Sequence, residues 1–335
     1  MKHSWLEPIP ENLQYTAKAA VSSAFGSTRV SAIAAVFGGA SGALTYRIEA
    51  SDRPYLLRLE TRRGPMRNPH QYTCMQISAE AGLAPPVRYA DDAAGVSIMD
   101  FVVQQPLDQY PDGALGLVKA LGELAARLQA TAPFPILGDY RVIIQRMLGY
   151  LRSAFAPGLL DPHLEVFERI RQAYPWDAAS HVSSHNDPNP RNILFDGKRL
   201  WLIDWETAYR NDALTDVAIL AENHAPSPEL VDAILRSWLG REPDPGIRAR
   251  LLLMRLLTRL YYSGLLLLGV AKPDTPIADL RAPTPDEFRS MIATGRLQPT
   301  STETRTMLCK MLLAGFVEAA NKPNFEEALM ISQHG

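Results

Sequence analysis

Three polar side chains in one short segment have the types and the spacing that phosphoryl transfer requires. Asp187 is followed five residues later by Asn192, and Asp204 comes after two short apolar runs. A carboxylate such as Asp187 can accept a proton from a hydroxyl group. An amide oxygen and a second carboxylate suit Mg²⁺, which completes its coordination with water and substrate phosphates. The segment therefore predicts a base, Asp187, beside a magnesium site made of Asn192 and Asp204.

The apolar runs between Asn192 and Asp204 predict a β-hairpin that brings these two residues together. Residues 193–195 and 200–203 are strand-like, and the turn at 196–199 contains Asp-Gly, in which glycine accepts a positive φ. Taken singly, each polar residue has an ordinary structural alternative, namely a turn, a strand start or an ion pair. Their joint spacing around a hairpin favours a kinase-type site.

The segment resembles the catalytic loop and metal-binding aspartate of kinases. It is more closely similar to the aminoglycoside phosphotransferase and choline kinase family, especially the choline kinase branch, whose members carry His-Gly/Asn-Asp, an Asn, Ile-Asp-Trp/Phe-Glu and a further Asp. The matching residues here are His185-Asn186-Asp187, Asn192, Ile203-Asp204-Trp205-Glu206 and Asp216. The resemblance implies an α+β, two-lobed, protein kinase-like fold. Residues 1–103 would form a small N-lobe with an antiparallel sheet, and 104–335 a mostly helical C-lobe.

The same resemblance implies that ATP binds mainly to the N-terminal part. Backbone N–H groups of a glycine-rich turn can approach phosphate oxygens closely, although this chain has Gly42 where the family usually has Asn. Arg58 falls where related enzymes place a cation on the third strand, and a guanidinium can bind two phosphate oxygens. The following hinge would meet the adenine edge. The candidate ATP contacts are Gly38, Gly39, Ser41, Gly42, Arg58, Asp100, Phe101 and Val102.

One expected residue is missing from this pattern. The family carries a Glu on the helix after the third strand, where it holds the strand cation. Spacing back from Gly82 places that position near residues 71–73, which contain no acid. Glu80 is the only carboxylate on the predicted helix 69–81, and it lies close to the helix end. The sequence therefore assigns no partner to Arg58.

The acceptor is expected to be a hydroxyl of a small molecule. Aromatic faces with a nearby carboxylate attract quaternary ammonium or amine groups, and the candidates are Glu206, Tyr209, Asp212 and Tyr261. Each aromatic could equally be an ordinary core or rim residue. The set favours an amino alcohol such as choline or ethanolamine. Aminoglycosides and other small hydroxyl compounds, including thiamine, homoserine and sugars, stay open as acceptors.

Two other classes remain open. A nucleotide-binding pseudokinase without turnover is favoured by the missing helix acid and the altered glycine turn, and disfavoured by the complete set of base and magnesium residues. A zinc hydrolase would need His181, His185 and His224 as ligands. The first two of these lie four residues apart in a strand-like stretch, so they would share no helical face.

Composition limits the remaining possibilities. A chain of 335 residues can hold two lobes, and a net charge of −2 argues against nucleic acid as the main partner. The two cysteines, Cys74 and Cys309, lack pair spacing, and the N-terminus lacks an apolar signal core, so we expect a cytoplasmic protein. The apolar stretch 251–270 contains Arg255 and Arg259, which favours a core helix over a membrane span.

Overall fold

The computed structural model describes residues 4–36, 42–61, 67–270 and 275–334. Its N-terminal part contains a five-stranded antiparallel sheet with the strand order β1-β2-β3-β5-β4. The elements are α1 Glu11–Phe25, β1 Ala32–Ala35, β2 Ala43–Ala50, β3 Arg53–Glu60, α2 Gln71–Glu80, β4 Val87–Asp91 and β5 Val96–Asp100. The predicted antiparallel sheet is present, and the helix predicted over residues 69–81 is α2.

Alternation along β3 determines which side chains face the core and which are left for the site. Leu57 and Leu59 are fully buried and pack in one cluster with Ile48, Ile98 and helix α1. Successive side chains of a strand point to opposite faces. Arg58 and Glu60 therefore project together from the face opposite to this core.

The segment that carries the catalytic motif forms two small sheets. Strand β6 Val182–Ser184 pairs with β9 Tyr209–Asn211, and β7 Ile193–Phe195 pairs with β8 Leu200–Leu202. The second pair is the predicted hairpin. Its turn requires glycine, because Gly197 has a φ of 89° and a Cβ there would lie 2.6 Å from the side chain of Gln105.

Most of the remaining chain is helical, as predicted. The helices are α3 Gly113–Gln129, α4 Tyr140–Ala154, α5 Asp161–Ala173, α6 Leu214–His224, α7 Pro228–Leu239, α8 Pro245–Leu267, α9 Pro285–Ala293, α10 Thr302–Ala320 and α11 Pro323–His334. Helix α8 packs against α4, α10 and α11. Two of its arginines, Arg255 and Arg259, both pair with Glu222. In the part of the chain that the structure describes, no helix has the length and apolarity needed to span a bilayer.

The contacts divide the chain into two compact units. The first comprises residues 1–137, 182–210 and 223–225, and the second comprises 138–181, 211–222 and 226–335. The first unit thus contains both the five-stranded sheet and the hairpin segment. The lobe boundary predicted after residue 103 stays a prediction. The predicted fold class, a small antiparallel sheet followed by a mostly helical remainder, is confirmed.

Candidate active site

The hairpin places Asn192 and Asp204 at the same open end. In the strand pair, Ile193 lies opposite Leu202. The pairing continues one step further, because the Ile203 N–H donates to the Asn192 carbonyl at 3.0 Å. Asn192 therefore precedes the first strand at the point where Asp204 follows the second, as the sequence pattern predicted.

Asparagine side chains hold the carboxylate of Asp187 in place. The Asn192 amide donates to the Asp187 carbonyl at 2.9 Å and to Oδ2 of the same residue at 3.1 Å. The Asn189 amide donates to Asp187 Oδ1 at 2.8 Å. The candidate base and one candidate magnesium ligand are thus in direct contact. Because Asn192 uses its amide nitrogen in these bonds, its amide oxygen is available for a cation.

Asp204 has the backbone and the environment of a cation ligand. Its φ of 65° and ψ of 73° lie in the left-handed region, which is uncommon for residues other than glycine and often marks a functional site. Burial raises the pKa of its carboxyl group, and the repulsion of Asp187 adds to this effect, while the charge of Arg58 opposes it. Within the described residues, Oδ1 of Asp204 is buried and has no hydrogen-bond partner.

A divalent cation fits this site, because a buried carboxylate oxygen without a partner is costly and a metal ion would satisfy it. In the ranges that the structure covers, no three His, Cys, Asp or Glu side chains are grouped so as to hold a metal. The zinc alternative therefore has no ligand cluster among these residues. Mg²⁺ needs only one or two protein ligands besides water and nucleotide phosphates. The donor set of Asn192 and Asp204 matches that requirement.

Asn186 ties the catalytic loop to the turn that follows Asp204. Its φ is 64°, and its buried amide donates to the carbonyls of Thr207 at 2.9 Å, Tyr209 at 3.3 Å and Ser184 at 3.4 Å. A left-handed backbone favours glycine or asparagine, which are the two residues of the motif that this segment resembles. Sequence reasoning did not assign this bridging role to Asn186.

His185 has a structural position beside the site. Its Nε2 lies 2.9 Å from the Ile203 carbonyl, and its ring centroid is 4.7 Å from that of Trp205. Its own carbonyl accepts a hydrogen bond from the Thr207 hydroxyl at 3.0 Å. Burial lowers the pKa of His185 to about 4, so the ring is neutral near pH 7. These contacts agree with the bracing role that the kinase pattern implied.

Arg58 is surrounded by partners that the sequence did not assign. Its guanidinium forms an ion pair with Glu206 and lies 3.7 Å from the carboxylate of Glu60. It also lies 3.5 Å from the side-chain oxygen of Gln71, which occupies the position of the missing helix acid. The alternation of Arg58 and Glu60 on one strand face is the sequence signal that could have identified Glu60. Burial raises the pKa of Glu206, and the charge of Asp204 adds to this effect.

The predicted phosphate-binding turn is covered only in part. Gly38, Gly39 and Ser41 lie outside the described residues. Gly42 precedes β2, and its carbonyl accepts a hydrogen bond from the Thr61 N–H at 3.0 Å. Gly42 therefore lies at the open end of the β2–β3 strand pair, and its role in ATP binding stays a prediction.

Two of the predicted hinge residues already use their backbone N–H groups within the protein. The Asp100 N–H donates to the Pro86 carbonyl at 2.9 Å, and the Phe101 N–H donates to the Pro54 carbonyl at 3.3 Å. If one of the three predicted hinge residues donates its N–H to adenine, we expect it to be Val102, which follows them.

Side-chain contacts hold the same hinge in shape. The Asp100 carboxylate binds both nitrogens of the Arg88 fork at 2.6 and 2.7 Å. The Phe101 ring centroid lies 5.3 Å from the guanidinium carbon of Arg47. Asp100 and Phe101 thus shape the hinge through ordinary protein contacts, and their role in ATP binding stays a prediction.

The four predicted acceptor-binding residues lie in both units. In the first, Glu206 pairs with Arg58, and Tyr209 is buried in β9. In the second, the Asp212 carboxylate accepts a hydrogen bond from the Tyr174 hydroxyl at 2.9 Å.

The Tyr261 ring, also in the second unit, has its centroid 5.6 Å from that of Tyr140 and 5.5 Å from that of Tyr262. Burial raises the pKa of Asp212, although the Leu214 N–H and the Tyr174 hydroxyl stabilise its charged form. The second unit thus combines a buried carboxylate with several tyrosines.

Comparison with known proteins supports the predicted resemblance. Protein LicA of Haemophilus influenzae is 41% identical over 57 residues, which are 17% of this chain and 21% of LicA. The chain covers only 14 to 21% of the lengths of the first curated relatives that it matches. These alignments are therefore local.

Solved structures match over almost the whole chain. A choline/ethanolamine kinase family protein from Mesorhizobium loti has a TM-score of 0.70 at 19% identity, covering 96% of this chain and 100% of the other. Spectinomycin phosphotransferase, solved with ADP and spectinomycin, has a TM-score of 0.52 at 12% identity, covering 90% of this chain and 92% of the other. At these identities the likeness establishes the kinase-like fold.

The family itself is established by the sequence. The phosphotransferase enzyme family matches residues 33–251, which is more than half of the 335 residues. The match includes Arg58 as well as the complete segment from His185 to Glu206. The chain therefore belongs to the phosphotransferase enzyme family.

Proposed function

We propose that the protein transfers the γ-phosphoryl group of ATP to a hydroxyl of a small, amine-bearing metabolite, with Mg²⁺ as the required cation. The observation that carries the proposal is the open end of the hairpin, where Asn192 and Asp204 emerge together and Asn192 contacts Asp187. The buried, partnerless Oδ1 of Asp204 supports a cation at this point. Spectinomycin phosphotransferase, which shares the fold, binds ADP.

In the proposed mechanism, Asp187 orients the acceptor hydroxyl and accepts its proton during transfer. Hydrogen bonds from Asn189 and Asn192 fix the carboxylate orientation, which is what a positioned base requires. Asn192 and Asp204 would hold Mg²⁺, which when bound compensates the charge of the phosphate oxygens. Arg58 would bind the same phosphate groups, because its planar guanidinium can bind two oxygens at once.

The preference for an amine-bearing acceptor rests on charge and aromatic character. Each unit offers a carboxylate and an aromatic ring, the side-chain types that attract an ammonium group: Glu206 and Tyr209 in the first, Asp212 and Tyr261 in the second. The likeness to a choline/ethanolamine kinase family protein supports the same acceptor class. We therefore propose an amino alcohol such as choline or ethanolamine.

A direct screen tests this function. Purified protein is incubated with ATP and Mg²⁺ and with choline, ethanolamine, thiamine, homoserine, sugars or aminoglycosides, and ATP consumption is measured. We expect stimulation by an amino alcohol. Stimulation by aminoglycosides or sugars alone would contradict an amino alcohol as the acceptor. Mg²⁺-dependent ATP binding without turnover on any acceptor would instead identify a pseudokinase. Omitting Mg²⁺ serves as the control, because it should abolish any stimulation.

A further inference from the structure

Two side chains on one face of β3 form the centre of a buried charge network. Arg58 and Glu60 have side-chain exposures of only 11% and 6%, and their charged groups lie 3.7 Å apart. The Glu60 carboxylate accepts hydrogen bonds from Arg67 at 2.7 and 3.1 Å. The Glu60 carboxylate therefore lies between the guanidinium groups of Arg58 and Arg67, and its negative charge offsets the buried positive charge of Arg58.

Gln71 connects this strand carboxylate to helix α2. Its amide nitrogen donates to Glu60 at 2.8 Å, and its amide oxygen lies 3.5 Å from the Arg58 guanidinium. Gln71 is the first residue of α2, in the region where related enzymes carry the helix acid. A neutral amide cannot supply the missing negative charge. Glu60 supplies it from the strand, and Gln71 links it to the helix.

The ionisation state of the Glu60 carboxyl group agrees with this role. Burial alone would raise the pKa of Glu60, but the hydrogen bonds from Arg67 and the charges of Arg67 and Arg58 outweigh burial and lower the pKa. The carboxylate is therefore ionised at neutral pH. Arg67 is held on its other side by Asp92 at 2.6 Å, so the far end of the network is fixed within the N-terminal sheet region.

Glu206 is the other carboxylate that pairs with Arg58. It lies two residues after Asp204, and the negative charge of Asp204 helps to raise the pKa of Glu206. If Glu60 were neutral, Glu206 would be, among the described residues, the carboxylate still in direct contact with Arg58. The guanidinium would then be drawn toward Glu206, and ATP would have to compete with this carboxylate for it.

We infer that Glu60, linked through Gln71, is the positioning residue that orients Arg58 for nucleotide phosphates, in place of an acid on helix α2. This inference rests on the proposed ATP-dependent function. It identifies a residue that acts through Arg58 and does not itself touch the substrate. An acid introduced at position 71 should be able to take over the role.

The test compares Glu60→Gln, the double variant Glu60→Gln/Gln71→Glu, and the control Glu80→Gln. The control removes an exposed carboxylate from the same helix. Steady-state kinetics give kcat and the KM values for ATP and acceptor, calorimetry gives the Kd for Mg²⁺·ATP, and thermal melting monitors folding. For Glu60→Gln we expect about a tenfold rise in KM and Kd for ATP, the size of one lost charge-assisted contact, with an unchanged KM for the acceptor.

The double variant should return the ATP constants to within about threefold of the wild-type values, because the carboxylate is restored beside Arg58. Glu80→Gln should match the wild type. A Glu60→Gln protein that melts earlier but keeps wild-type ATP constants would overturn the inference, since Glu60 would then be only structural. Failure of Gln71→Glu to restore binding would overturn it as well. If the wild-type protein binds no Mg²⁺·ATP, the proposed function and the inference both fail. If the wild type turns over and Glu60→Gln has the same KM and Kd for ATP, the inference alone fails.

Discussion

Asn186 offers a quantitative test of how the catalytic loop is held. The perturbation is a pair of substitutions, Asn186→Ala and Asn186→Gly. Both remove a buried amide that donates to three carbonyls, of which only the bond to Thr207, at 2.9 Å, has a short distance. Counting this bond fully and the two longer ones in part gives a loss of about 1–2 kcal/mol for either variant.

The backbone separates the two variants. At a φ of 64°, alanine carries a steric cost of about 1–2 kcal/mol that glycine does not. Glycine loses more conformational entropy on folding, which offsets part of its advantage, by about 0.5–1 kcal/mol. We therefore expect Asn186→Ala to lower the free energy of unfolding by about 2–4 kcal/mol and Asn186→Gly to lower it by about 1.5–3 kcal/mol.

Urea denaturation measures both free energies of unfolding. The dependence of the free energy on urea concentration should be the same in all variants, so that a stability change appears only as a shifted midpoint. Asp112→Ala is a matched control for the backbone term, because Asp112 has a φ of 61° but its exposed side chain makes no capping hydrogen bond. It should lose only about 1–2 kcal/mol. Equal stabilities for the Ala and Gly variants would refute the steric argument, and wild-type stability for both would refute the hydrogen-bond argument.

Two further predictions concern packing and pH. Gly264→Ala should lower the free energy of unfolding by about 1–3 kcal/mol, because the new Cβ would lie 2.6 Å from Met147 Cβ between α8 and α4. Gly149→Ala is the control, because Gly149 lies on the exposed side of α4 and a Cβ there meets nothing within 4 Å. It should raise the free energy of unfolding by up to about 1 kcal/mol. Equal effects of the two variants in denaturant titrations would contradict the close contact between α8 and α4. The buried neutral His185, with a pKa lowered from 6.5 to about 4, takes up its proton more readily when unfolded. Stability should therefore fall by up to about 3 kcal/mol as the pH drops from about 6.5 to 4, and melting curves of His185→Gln should show a shallower fall; an identical pH slope would contradict this.

The catalytic segment was the part most readily predicted from sequence. Asp-Gly in the turn and apolar runs on both sides are local signals, and a hairpin necessarily brings its two ends together. The placement of Asn192 beside Asp204 therefore followed from residues within a dozen positions of each other. The same holds for α8, because Arg255 and Arg259 within its apolar stretch indicated a core helix rather than a membrane span.

The surroundings of Arg58 could not be predicted, because they depend on long-range contacts. Glu206 and Gln71 are far from Arg58 in sequence, and only the folded chain brings them to it. Glu60 carried a local signal, the period-two spacing from Arg58, but an exposed strand residue would show the same spacing. The close contact of Gly264 with Met147 likewise depends on how two helices pack, which no single segment encodes.

The central claim is that Asp187 acts as the base whereas Asp204 holds Mg²⁺, and one paired measurement tests it. Mg²⁺·ATP affinity by calorimetry and kcat with the best acceptor are measured for Asp187→Asn and Asp204→Asn. We expect Asp187→Asn to bind ATP within about twofold of the wild type while kcat falls by about a hundredfold or more, and Asp204→Asn to lose its Mg²⁺-dependent gain in ATP affinity. Wild-type turnover in Asp187→Asn, or unchanged Mg²⁺ dependence in Asp204→Asn, would contradict the claim.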